Sequence, residues 1–153
     1  MDASVARAMA KWPNVPAVYG WLSLDRRGNW LIKGERISNS ALREFIGRNY
    51  ECDSAGRWYF QNGPQRVYVS LAYTPLVVHY EGDELKDHCG RPFGAERTYL
   101  DDEGSVLVEA GGRIALLDDR DLGRYADSAD ALLPIRRREV AERFGFVPEP
   151  SQA

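Results

Sequence analysis

The feature that most constrains the fold of this chain is a short phrase that occurs three times, at 24–31, 52–59 and 100–107. Each copy has the end of a strand segment, an Asp, two residues, a Gly and the start of another strand segment. An Asp at the first turn position accepts hydrogen bonds from backbone amides two residues on, and Gly adopts the positive φ that a type I turn with a bulge requires. Each copy therefore predicts a β-hairpin.

Between the hairpins, the patterns predict an α+β fold: antiparallel β meanders with a packed helix, in two small β-rich lobes that share or adjoin one core. Leu42, Phe45 and Ile46 form an apolar stripe typical of a helix packed on a sheet. The predicted layout is a short helix or arm at 1–11, a β-rich lobe at 12–80 with a helix at about 40–50, a connecting loop at 81–96, a second meander with C-terminal helices at 97–146, and a mobile tail at 147–153.

Charge and composition narrow the classes of partner. The 20 basic and 23 acidic residues are mixed along the chain and give a formal net charge of -3, so no broad positive field is available for nucleic acid. No segment approaches the roughly 20 apolar residues that span a bilayer, and the N-terminal residues lack a secretory pattern. The two cysteines form no Cys-x-x-Cys pair, which favours the cytoplasm. We expect neither nucleic acid nor a membrane as a partner.

Candidate catalytic and metal-binding residues are few. His79, His88 and Cys89 are metal-ligand types in or near the predicted connecting loop, but the adjacency of His88 and Cys89 makes joint coordination awkward. They are weak candidates, and a polar loop with an isolated histidine and a free thiol explains them better. The acidic run at 118–121 is typical of a helix cap. With neither a nucleophile elbow nor a phosphate loop in the sequence, we predict no cofactor and no catalytic residue, and favour a protein that is not an enzyme.

Aromatic residues offer the better binding candidates. The chain has 4 Trp, 8 Tyr and 5 Phe, with many in the first 60 residues. Such rings form a recognition surface when exposed, and they also pack well in the cores of sheets, so both interpretations stay open. The candidate binding residues are Trp12, Trp21, Trp30, Trp58 and Tyr59.

Several segments also carry a family resemblance. The run Gly28–Ile37, the helix pattern at 42–45 and the strand patterns at 53–60 and 64–69 resemble a family of uncharacterised proteobacterial proteins. The segment Trp12-Pro13-Asn14-Val15-Pro16, with 19–22, is similar to a smaller, related family. The resemblance covers roughly 12–80. It implies a small β-rich lobe with a helix followed by a second β-rich lobe, and supplies no catalytic residues.

Two hypotheses of function follow. The first is a bacterial cytoplasmic accessory or protein-interaction domain, whose partner is another protein or a second copy in a homo-oligomer. The alternative is a small-molecule binding domain with an aromatic-lined pocket between the lobes, built from Trp21, Trp30 and Trp58 and closed by the loop around His88. An enzyme comes third.

Overall fold

The computed structural model describes residues 1–126 and 131–152, which form two β-rich units. The first unit comprises Met1–Asp25, Asn29–Ala72 and Phe146–Ala153. The second comprises Arg26–Gly28 and Tyr73–Gly145. Each unit contains one six-stranded sheet together with helices, so the predicted α+β class with two β-rich lobes is confirmed.

The first unit contains a mixed sheet in the order β3-β2-β1-β6-β5-β4. Its elements are helix α1 (Ala3–Lys11), strands β1 (Val18–Leu24), β2 (Trp30–Ile32) and β3 (Glu35–Arg36), helix α2 (Ser40–Arg48), and strands β4 (Tyr50–Cys52), β5 (Trp58–Asn62) and β6 (Gln65–Leu71). The central pair, β1 and β6, is parallel, whereas the others are antiparallel. The sheet is therefore more than the predicted meander, because the long connection through α2 brings β6 back beside β1 in the same direction.

The second unit contains a mixed sheet in the order β12-β9-β10-β11-β7-β8. Its elements are strands β7 (Leu76–Glu81), β8 (Glu84–Asp87), β9 (Arg97–Asp101), β10 (Val106–Ala110) and β11 (Arg113–Leu117), a 3-10 turn at Asp119–Asp121, helix α3 (Leu122–Ala126), strand β12 (Leu133–Ile135) and helix α4 (Arg137–Phe144). Parallel pairs join β11 to β7 and β12 to β9. Here too the sheet is mixed.

Two segments differ from the predicted layout. The predicted boundary after residue 80 falls inside β7, and the predicted loop at 81–96 begins with the β7–β8 hairpin. In the predicted mobile tail, Val147 N donates to Gly56 O at 2.9 Å, and Pro148 O accepts from Leu71 N at 2.8 Å. These bonds attach the tail segment to the first unit.

The Asp-x-x-Gly loop occurs four times in the structure. In each copy the Asp Oδ1 accepts a hydrogen bond from the backbone N–H four residues on, at 2.7–3.0 Å. The glycines lie at φ between 80° and 86°, a region open mainly to residues without a side chain. The four aspartates are Asp25, Asp53, Asp87 and Asp101. The Asp87 copy lies within the predicted connecting loop and was not recognised as a hairpin.

Helix α2 packs its apolar stripe on the first sheet. Asn39 caps the helix by accepting from Leu42 N at 2.9 Å. Phe45 meets Phe60 edge to face, with ring centroids 5.6 Å apart. The helix thus covers one face of the sheet, and the space beside it forms the groove described below. In the described part of the chain, no helix is long and apolar enough to cross a membrane.

Candidate functional site

An apolar groove lies beside α2 in the first unit, with a cavity volume of about 460 Å³. Its lining comes from β1, β2, α2, β5 and β6, and the only polar lining residues are Asn62 and Gln65. We call this site the groove and define it by these residues: Val18, Trp21, Leu22, Ile32, Leu42, Phe45, Ile46, Phe60, Asn62, Gln65 and Val67. Its lining therefore contains no charged side chain.

The groove has a closed floor and an open rim. Leu22, Ile46 and Phe60 are buried members of the core and form the floor. At the rim, Trp21, Ile32 and Leu42 keep 50%, 42% and 38% of their surface exposed. Exposed large apolar side chains that share one concave site are typical of a binding surface.

An irregularity in β1 lies beside Trp21. Val18 pairs with Val67 and Leu22 pairs with Val69, so β1 has two more residues than β6 over the same stretch. Gly20 lies inside this irregularity at φ 74°, a conformation that glycine adopts without strain. As a result Val18, Trp21 and Leu22 all line the groove, although strict strand alternation would put Trp21 on the opposite face.

A cation is held against the rim. Lys33 N donates to Trp21 O at 2.9 Å, and Lys33 Nζ lies 4.1 Å from the centroid of the Trp21 ring. Lys33 and Gly34 form the turn between β2 and β3 at φ 48° and 81°, the pair of positive values that a type I′ hairpin turn requires. This turn places Lys33 beside Trp21, where the ammonium lies over an aromatic face.

Three of the five predicted binding residues lie away from the groove. Trp30 is only 2% exposed and packs edge to face on Tyr50, with centroids 4.9 Å apart. Trp58 also contacts Tyr50, again at 4.9 Å. Tyr59 is buried beneath the guanidinium of Arg66, which lies 3.9 Å from its ring centroid. These rings belong to the packing of the first unit.

The other two predicted residues are exposed, and one of them lines the groove. Trp12 is 51% exposed and carries Lys11 Nζ at 4.7 Å from its ring centroid. Trp21 lines the groove together with Phe45 and Phe60, which sequence reasoning did not select. Phe45 belongs to the apolar stripe of α2, and such a stripe by itself predicts packing on a sheet and not a binding site.

The weak metal candidates lie in the second unit, where His79 and His88 both line a polar cleft of about 350 Å³. Cys89 is not part of that lining. We call this site the cleft, lined by Arg27, Gly28, His79, Tyr80, His88, Asp118, Arg120 and Asp121. Among the described residues, no group of three or more His, Cys, Asp or Glu side chains is placed to hold a metal ion.

The charged groups of the cleft are engaged with one another and with the backbone. Arg27 Nε pairs with Asp119 at 2.9 Å, and Arg120 pairs with the buried Asp118 at 2.6 Å. Burial acts to raise the pKa of Asp118, but hydrogen bonds from Arg120 outweigh it and hold the pKa below its usual value. His88 Nδ1 accepts from Val77 N at 3.2 Å, which fixes the imidazole. The cleft is a network of structural contacts.

The cysteines differ in exposure. Cys89 is set in the Asp87 loop, where burial first, and then the charge of Asp87, raises the pKa of its thiol to about 12. A thiol of that pKa is protonated at neutral pH and is a poor nucleophile. Cys52 is exposed, although burial of its sulfur and the nearby Asp53 also raise its pKa.

Comparisons with known proteins agree with the fold. The family model DUF2944, described as "Protein of unknown function (DUF2946)", matches residues 1–151. A crystal structure of a DUF1285 family protein from Silicibacter pomeroyi DSS-3 is similar at 19% identity, with a TM-score of 0.56 and 86% of each chain covered. A DUF1285 family protein from Shewanella baltica OS155 is similar at 13% identity, with a TM-score of 0.52, 71% of this chain covered and 92% of that one. None of the curated proteins matches the chain.

Proposed function

We propose that this chain, which belongs to the DUF2944 family of proteins of unknown function, is a small-molecule binding protein that takes an apolar ligand into the groove of its first unit. The observation that carries the proposal is the combination of a closed apolar floor, an apolar rim and a volume of about 460 Å³. Ligand sites in proteins are concave, mostly apolar and about 300–1,000 Å³ in volume.

The exposed rim provides the driving force. Covering apolar surface is worth roughly 25 cal/mol per Å², and a ligand seated in the groove covers Trp21, Ile32 and Leu42. The backbones of these three residues are held in α2 or in strands, so ligand binding has no loop to order.

The two polar lining residues supply orientation. Asn62 and Gln65 face each other across the β5–β6 hairpin, and their neutral amides can donate and accept hydrogen bonds. A few polar groups beside an apolar surface are the usual means by which such sites select a ligand's orientation. This arrangement favours a ligand that is apolar along most of its length.

The protein-interaction hypothesis is the second candidate, and the exposure of Trp12 and Trp21 favours it. In that case the groove accepts an apolar side chain from a second copy or from another protein. We propose the cytoplasm as the compartment for either function, because Cys52 and Cys89 are both free thiols.

The test is a titration with Nile red, a neutral apolar dye whose fluorescence rises in apolar surroundings. We expect the wild type to bind the dye, and Leu42→Gln and Ile32→Gln to weaken binding at least tenfold because each puts an amide on the rim. Leu133→Gln is the matched control, since Leu133 is an exposed leucine in the second unit and is not part of the groove.

The outcomes separate the two candidates. Saturable dye binding that is lost only in the groove variants supports the proposal. Dye binding that is absent, or unchanged in both groove variants, contradicts it. A dimer in the wild type that dissociates in Leu42→Gln, without dye binding, favours the interaction hypothesis.

A further inference from the structure

We infer that the ligand of the groove is an anionic amphiphile, an alkyl chain ending in a carboxylate, whose head group lies at Lys33 while its chain lies in the groove. This inference rests on the proposed function and adds the chemical class of the ligand. It starts from one juxtaposition: the ammonium of Lys33 lies 4.1 Å from the centroid of a ring that lines the groove.

The backbone of Lys33 is anchored beside the rim of the groove. Lys33 adopts φ 48°, the only positive φ among the described residues other than glycine. Positive φ is uncommon for residues with a side chain and carries a conformational cost. The hydrogen bond from Lys33 N to Trp21 O ties this turn directly to the rim residue. The backbone of Lys33 is therefore anchored at the rim, and its side chain places the ammonium over Trp21.

A second observation concerns the charge of Lys33. Among the described residues, no carboxylate forms an ion pair with Lys33. The lining of the groove contains neither Asp nor Glu. By contrast, the arginines of the cleft, Arg27 and Arg120, each pair with a carboxylate of the protein. The groove therefore presents an apolar surface with the positive charge of Lys33 at its edge. This surface is complementary to an alkyl chain that ends in a carboxylate.

This complementarity predicts discrimination among ligands of one chain length. A carboxylate paired with an exposed ammonium gains a modest electrostatic term, so we expect dodecanoate to bind about fivefold more tightly than dodecan-1-ol. Because Lys33 is exposed, the preference should shrink as salt screens the pair. The apolar chain supplies the affinity that the two ligands share.

The experiment measures displacement of Nile red by dodecanoate and by dodecan-1-ol, each kept below the concentration at which it self-associates. The variants are Lys33→Gln, which removes the charge, and Lys33→Arg, which keeps it. Lys11→Gln is the matched control, because Lys11 lies 4.7 Å from the ring centroid of Trp12, a similar pair that does not line the groove.

We expect the preference for dodecanoate to vanish in Lys33→Gln, with dodecan-1-ol binding unchanged, and to persist in Lys33→Arg and Lys11→Gln. Equal binding of the two ligands by the wild type overturns this inference and leaves the proposed function standing. A preference that survives in Lys33→Gln overturns it as well. If neither ligand nor the dye binds the folded protein, both this inference and the proposed function fail.

Discussion

The groove of the first unit and the cleft of the second are both concave sites beside a mixed six-stranded sheet, yet their surfaces are opposite in character. In the cleft, Arg27, Arg120 and Asp118 are engaged in ion pairs within the protein. In the groove, Trp21 and Leu42 keep 50% and 38% of their surface exposed. A site whose groups already satisfy one another has little left to offer a ligand. The difference therefore points to the groove, although the titratable residues are concentrated in the cleft.

The largest expected effect concerns the Asp-x-x-Gly loop, a turn that occurs in both units. Asp101 is buried and accepts hydrogen bonds from Glu103 N, Ser105 N and the hydroxyl of Tyr73. Asp101→Ala leaves these donors without their acceptor, and we expect the free energy of unfolding to fall by about 3 kcal/mol, since each buried unsatisfied group costs about 1–3 kcal/mol. Urea denaturation measures this change.

Asp53→Ala is the counterpart in the first unit, because Asp53 accepts from Ala55 N, Arg57 N and the hydroxyl of Tyr68. We expect a loss of similar size. The control is Asp83→Ala, which removes a fully exposed carboxylate and should leave stability unchanged. A large loss of stability in only one of the variants Asp101→Ala and Asp53→Ala would show that the two units do not depend on the loop in the same way.

The next effect separates the two concave sites. Trp21→Ala removes the largest ring on the rim of the groove together with the surface beneath Lys33, and we expect Nile red affinity to fall about tenfold. Because half of Trp21 is buried, we expect the free energy of unfolding to fall by roughly 2 kcal/mol, less than for Asp101→Ala. His79→Ala, in the cleft, should leave dye affinity as it is. Equal losses in the two variants would assign dye binding to neither site.

A smaller effect depends on pH. Hydrogen bonds from Arg120 outweigh burial and lower the pKa of Asp118, so the folded state holds this carboxylate charged more firmly than the unfolded state does. Its contribution to stability is full above the unfolded pKa of about 3.9 and is lost as the pH falls through the lower folded value. The stability gap between wild type and Asp118→Asn should therefore be widest near neutral pH and narrow below pH ~4. Urea midpoints at several pH values test this, and a gap that stays constant would contradict it.

The smallest effect is chemical labelling of the cysteines. At neutral pH a thiol with a pKa of about 12 is almost wholly protonated, and Cys89 is also only partly exposed. We expect iodoacetamide to modify Cys52 alone in the folded protein, without loss of dye binding, and Cys52→Ser to abolish the reaction. Mass spectrometry of the labelled protein counts the adducts. Rapid labelling at Cys89 would show that the Asp87 loop opens readily.

The hairpins were predictable because their signal is local. Asp53 and Asp101 fix their turns through hydrogen bonds to the backbone four residues on. The Asp and the Gly that define each turn therefore lie within one short stretch of sequence. The same loop at Asp87 was not predicted because the polar residues, glycines and proline of 81–96 indicate one continuous connecting loop. Parallel pairing of β1 with β6 depends on contacts between segments far apart in the chain, which no turn pattern specifies.

The groove was predictable only in part. Trp21 was among the candidates, but composition alone cannot separate it from Trp30, which is buried. Trp21 lines the groove because β1 is irregular at Gly20. A lone glycine in a strand pattern indicates such an irregularity but not which neighbouring side chain changes face. Leu42 and Phe45 belong to a stripe that indicates packing, and the sequence does not show that part of this stripe lines an open groove.

The hydrogen bonds at Val147 and Pro148 also set an order of events during synthesis. Residues up to Ala72 leave the ribosome early, yet Leu71 N and Gly56 O find these partners only after 147 and 148 have followed. The second unit is contained almost wholly in the stretch made in between. Since domains fold as units, we expect the first unit, which contains the groove, to gain these contacts only after residues 147 and 148 have been synthesised.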